Sequence, residues 1–94
     1  MNNQCIQELR SELDQVNKEL LDLLLQRFEI VQQVFAYKKA NNLDIYDEKR
    51  TQKMKCQIKE YFESLPEERK QFADWKLIET IFDSIFSNSL KVSK

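Results

Sequence analysis

From residue 6 to residue 40 the chain contains neither glycine nor proline, and its apolar residues recur at Ile6, Leu9, Leu13, Val16, Leu20, Leu24, Val31 and Val34. Steps of three and four residues put these side chains on one face of a helix. The spacing predicts one helix over about residues 5–40, roughly 54 Å long at 1.5 Å per residue. That is longer than a compact domain of this size is wide. A chain of 94 residues buries little core alone, so pairing with a second copy is the economical way to cover the ends of such a helix.

The rest of the chain is as sparingly punctuated, with no glycine, one proline and no histidine. Without glycine there is no phosphate-cradling loop and no dinucleotide fingerprint. Without histidine there is no Ser-His or Cys-His relay and no imidazole metal ligand. A content of 33% charged and 41% hydrophobic residues, rich in Leu, Lys, Glu and Gln, belongs to an all-α protein. The net charge of −1 offers no bulk attraction to nucleic acid or to an acidic membrane. Cys5 and Cys56 lack a paired-ligand spacing and are expected to stay reduced thiols. The start lacks the basic-then-apolar pattern of a signal peptide, and the longest apolar run, Leu23-Leu24-Leu25, is too short to cross a bilayer. The expected compartment is the cytoplasm, with no metal and no cofactor.

Asn41-Asn42-Leu43-Asp44 reads as a loop, because asparagines leave helical geometry cheaply. Asp47 can then cap a second helix, over about residues 47–63, whose stripe is Met54, Ile58, Tyr61, Phe62 and Leu65. In Ser64-Leu65-Pro66-Glu67 a capping serine, a proline and an acidic residue three places after the serine predict a third helix, about residues 66–91. Its stripe is Trp75, Ile78, Phe82, Ile85 and Ser89, widened by Phe72, Ile81 and Phe86. The expectation is one domain, residues 1–94, of one very long and two medium helices.

Charge interrupts the first stripe, which runs Leu20, Leu24, Arg27, Val31, Val34, Lys38. Arg27 and Lys38 lie within about 20° of each other around the helix and about 16 Å apart along it. Cations on a core-facing stripe are costly unless something negative pairs with them. Snorkelling or internal salt bridges account for either one alone; for the pair, joined by further cations, a site is the better account. Arg50 opens the second stripe, flanked by Asp47 and Thr51, although an N-cap with a solvated neighbour is the plain alternative. Arg10 lies about 25 Å from Arg27 along the helix, too far to share a small ligand within one chain. In an antiparallel dimer it can approach the other chain's Arg27. Three arginines and a lysine between apolar walls suit a small dicarboxylate, gripped by guanidinium forks, with the lysine on a single oxygen. Little here supports acid–base or covalent chemistry, which leaves orientation and fixed positive charge as the means of catalysis.

Leu9-Arg10, the pairs Leu20-Leu21 and Leu23-Leu24 followed by Arg27, then Lys38, Asp47-x-x-Arg50 and the late Ser89 resemble the all-α chorismate mutases, the AroQ class. The resemblance runs from about residue 6 to residue 93. It implies an intertwined homodimer sharing its long helices, with two sites each built from both chains. It also implies conversion of chorismate to prephenate without a cofactor, the committed step toward phenylalanine and tyrosine in the shikimate pathway. By resemblance Arg27 and the partner's Arg10 grip the carboxylates, Arg50 adds positive charge and Lys38 donates to the ether oxygen whose bond breaks. Asp47 and Ser89 form a polar wall near the ring hydroxyl and carboxylate. Two positions depart from the family. Thr51 stands where a glutamate usually accepts from the ring hydroxyl, and Ser93 where a glutamine or glutamate usually reaches the ether oxygen.

Two other readings share these residues. The scaffold could act on 4-amino-4-deoxychorismate, or on isochorismate as a pyruvate lyase, with Thr51 fitting a different ring substituent. Or the chain could be a catalytically weak helical dimerisation module, its cations serving salt bridges at a seam.

Overall fold

The computed structural model describes residues 3–44 and 47–92. They form four helices, α1 (Asn3–Ala40), α2 (Glu48–Ser64), α3 (Glu67–Lys70) and α4 (Trp75–Val92), and no strand occurs among them. The unpunctuated first segment is one helix of 38 residues. It stops because Asn42 turns left-handed, at φ 57°. The Leu43 N–H then donates to the Lys38 carbonyl at 2.8 Å and the Asn42 N–H to the Lys39 carbonyl at 3.3 Å. These are the paired bonds of a Schellman cap, in which asparagine is a common substitute for glycine.

Asp47 starts α2 as expected. Its backbone is extended and its carboxylate accepts from the Arg50 N–H at 3.2 Å, satisfying a donor that the first turn leaves unpaired. Ser64 does not cap the next helix. It is the last residue of α2, and its hydroxyl donates back to the Tyr61 carbonyl at 2.6 Å. Pro66 takes the capping position with no side-chain bond.

The single helix expected over 66–91 is in fact two. α3 is one turn long and ends where the Gln71 side-chain amide donates to the Glu68 carbonyl at 2.9 Å. Asp74 then accepts from the Leu77 N–H at 2.9 Å and so starts α4 afresh. An aspartate followed by a new periodic run outcompetes continuation, because it offers the backbone donors a strong acceptor outside the helix. Phe72, assigned to the stripe by its spacing, falls in this turn and is 80% exposed.

α4 lies centrally, packed against both α1 and α2. It contributes half-buried Trp75, Ile78, Phe82 and Ile85, and holds the two buried residues among those described, Phe86 and Ser89. From α1 the half-buried residues facing this layer are Leu24, Arg27, Phe28, Val31, Phe35 and Lys38; α2 contributes Met54, Ile58 and Phe62. The Phe62 and Trp75 rings meet at 6.0 Å, tilted by 45°. Beyond this short packed end α1 runs on alone, and every residue from 6 to 23 is exposed. The molecule measures 60 × 25 × 16 Å with a radius of gyration of 17.3 Å, against about 12 Å for a compact chain of this length. Its accessible surface is 8148 Å², where a compact monomer of this size exposes roughly 5800 Å².

Candidate active site

The packed end of the molecule contains a cleft of about 480 Å³ between the C-terminal half of α1, the start of α2 and the last turns of α4. That size is within the range of small-molecule sites. Arg27, Lys38, Asp47, Arg50, Thr51 and Ser89 all line it. Their convergence follows from the helix register. Arg27 and Lys38 share a face of α1, Asp47 and Arg50 belong to the capped first turn of α2, and Ser89 lies on the inner face of α4. The walls between them are apolar, formed by Ile30, Val31, Val34, Phe35, Met54 and Phe86.

Arg27 is the best-held of the cations. Its Nη1 donates to Ser89 Oγ at 2.5 Å, and its guanidinium lies 5.2 Å from the centre of the Phe86 ring. The Ser89 hydroxyl donates its single proton to the Ile85 carbonyl at 2.7 Å, so toward Arg27 it is an acceptor. Burial pulls the Arg27 pKa below its ordinary value, but an arginine remains cationic at physiological pH. Among the described residues neither Arg27 nor Arg50 has a carboxylate within ion-pair distance. Among the described residues, Arg27 therefore lacks the internal salt bridge that would account for an arginine on a buried face.

Thr51 donates its hydroxyl to the Asp47 carbonyl at 3.3 Å, which leaves its oxygen lone pairs to accept from the cleft. Arg10 is not part of this chain's cleft; it is exposed on the free half of α1. Ser93 lies outside the described residues. Three contributors escaped the sequence reading: Lys55, Asp83 and the ring of Phe86. By its spacing Phe86 widens the stripe of α4, and its position three residues before Ser89 puts its ring on the cleft. Lys55, four residues after Thr51, was hidden among the other basic residues of α2. A second depression, about 510 Å³, is a more open groove whose lining includes Leu24, Phe28, Ile85 and one cation, Lys91. It has no converging charge. Among the described residues no group of acidic or cysteine side chains could hold a metal ion, and no helix is long and apolar enough to cross a membrane.

A helical scaffold with an apolar-walled, cationic cleft defines a class of protein that takes small organic anions. Within that class the match is specific: the family profile described as chorismate mutase type II covers residues 9–94, and the chain belongs to that family. No curated protein matches the chain.

Proposed function

We propose that the protein catalyses the rearrangement of chorismate to prephenate, as a homodimer whose second chain completes each cleft. The observation that carries this reading is Arg27: a half-buried guanidinium, oriented by Ser89 and Phe86, without a carboxylate partner among the described residues. A substrate carboxylate is the counter-ion it lacks. Membership in the chorismate mutase type II family supplies the substrate that fits.

In the proposed mechanism Arg27 holds one substrate carboxylate and the partner's Arg10 the other, fixing the folded conformer in which the two reacting carbons meet. The reaction is pericyclic: the ether C–O bond breaks as the new C–C bond forms, and no protein atom becomes attached. Negative charge develops on the ether oxygen, where Lys38 donates and Arg50 adds positive potential. Donors set in place before reaction stabilise that charge without reorganising, and their removal typically costs about a hundredfold or more. Asp47, Thr51, Ser89 and Ser93 are proposed as polar contacts around the ring and carboxylates.

The exposed half of α1 supports the dimer. Leu20, Leu21, Leu23 and Leu25 are each more than half exposed, and so large an exposed apolar patch marks an interaction surface. The surplus surface of roughly 2400 Å² is what one chain of an obligate dimer buries. Following the loss of enol-ether absorbance when purified protein meets chorismate tests the reading; no rate above the uncatalysed one, from a correctly folded dimer, would sink it.

Thr51 favours a second enzyme reading. Its short hydroxyl, replacing a longer carboxylate, leaves space for a different ring substituent, so 4-amino-4-deoxychorismate and isochorismate belong in the same assay. Turnover of the amino analogue alone would replace the first reading. In a dimerisation module without activity the salt bridges would be made across the seam, and Arg27→Ala would then lower dimer stability with no turnover to lose.

A further inference from the structure

Six ionisable side chains line the cleft, four cations (Arg27, Lys38, Arg50 and Lys55) and two carboxylates (Asp47 and Asp83). Asp47 is occupied as the N-cap of α2. Asp83 is a different case. It is a carboxylate on α4, six residues before Ser89, in a cleft otherwise suited to anions. Left uncompensated, it would repel the ligand that the arginines attract.

Lys55 answers it from the opposite helix. Its ammonium lies 3.0 Å from an Asp83 carboxylate oxygen and 3.4 Å from one of Glu79, and its side chain is only 23% exposed. The Lys59–Glu63 and Lys70–Glu67 pairs join neighbours on one helix; Lys55 joins α2 to α4. The hydrogen bond to Asp83, more than desolvation opposes it, raises the Lys55 pKa and keeps the ammonium charged.

We infer that Lys55 is a positioning residue of the site, which pins and neutralises Asp83 so that this carboxylate does not oppose the binding of a dianion. The inference rests on the proposed reading that the cleft takes a dicarboxylate. Lys55 does not need to touch the ligand. Its effect is electrostatic and acts through Asp83, which lines the same cleft as the arginines.

Replacing Lys55 by methionine keeps the length of the side chain and removes the charge. The readout is the dissociation constant of a bicyclic dicarboxylate that mimics the transition state, measured by calorimetry on the whole protein, so that it does not depend on turnover. K55M is expected to weaken binding on the order of tenfold, and K55M combined with Asp83→Asn to recover it to within about threefold, because the repelling charge is gone. A merely structural tie between α2 and α4 gives no such rescue. Affinity in K55M equal to wild type, or a double variant as weak as K55M, overturns the inference. Should K55M fail to fold, Lys55→Gln keeps a donor to Asp83 without the charge; it is expected to bind several-fold more weakly, and unchanged affinity overturns the inference equally. A wild type that binds the mimic without converting chorismate sinks the mutase reading and leaves the Lys55 comparison decisive. A wild type that does not bind the mimic overturns both.

Discussion

Removing the Arg27 guanidinium leaves no carboxylate stranded, since none is paired with it among the described residues. The usual penalty for breaking a buried ion pair therefore does not apply. Arg27→Ala should lower turnover of chorismate by on the order of a hundredfold or more while the thermal midpoint changes little. A large fall in the midpoint, with no activity to lose, would instead mark Arg27 as a structural cation. Ser89 makes a subtler case. With its proton committed to the Ile85 carbonyl, it acts on Arg27 as an acceptor that fixes the guanidinium. Ser89→Ala should cost about tenfold in kcat/KM, and Ser89→Thr, which keeps the hydroxyl, should restore much of it. Failure of threonine to do better than alanine would argue against orientation through the hydroxyl. At this scale the sequence was partly legible. Arg27 and Lys38 were visible because charge on an apolar stripe demands an explanation, and Asp47, Arg50 and Thr51 because they cluster at a helix start. Asp83 and Lys55 were not, because each is an ordinary surface-type residue within its own helix. Only the packing of α2 on α4 makes them partners.

At the level of helices, what could be read were positions where one local rule had no competitor. The absence of glycine and proline made α1 continuous, Asn42 ended it in a left-handed turn and Asp47 capped α2. The segment after Pro66 went wrong because two signals competed: the serine–proline–glutamate pattern suggested a start, while Asp74, eight residues later, was the acceptor that the α4 backbone used. Spacing alone could not decide, since one short turn of helix carries no stripe of its own. The seam between α2 and α4 has a consequence for pH. Hydrogen bonding to Asp83 raises the Lys55 pKa above its ordinary value. A group whose folded-state pKa is the higher contributes its full stabilisation below the unfolded value, about 10.4 for lysine, and loses it as the pH climbs through the folded value. Wild type should thus be more stable than K55M near neutral pH, and the two should converge in alkaline solution beyond the lysine range. Thermal denaturation across that range checks it; a gap between them that persists at high pH would show that the methionine variant suffers from packing and not from charge.

For the molecule as a whole, the packed end and the free end of α1 pose one problem. The free end exposes Ile6, Leu9, Leu13, Val16 and Leu20, and it carries Arg10 about 25 Å along the helix from Arg27. In the proposed mechanism Arg50 and Lys38 serve the ether oxygen, which leaves Arg27 to hold one of the two carboxylates and calls for a second arginine at the other. The proposed antiparallel partner would solve both: its long helix would bury the apolar stripe, and the partner's Arg10 would be delivered to the cleft. This arrangement makes a prediction that no monomeric site can meet. Arg10→Ala and Arg27→Ala should each be inactive alone, because every site in either homodimer lacks one arginine. When the two are unfolded together and refolded as a mixture, half of the dimers combine one chain of each kind. In those, one site lacks both arginines and the other has both intact. Activity should return to about a quarter of wild type, the statistical value for random pairing in a twofold dimer, and chorismate consumption before and after mixing measures it. If each site were confined to one chain, mixing would restore nothing. Recovery without refolding, on simple mixing, would additionally give the rate at which chains exchange, which in the proposed intertwined dimer should be slow.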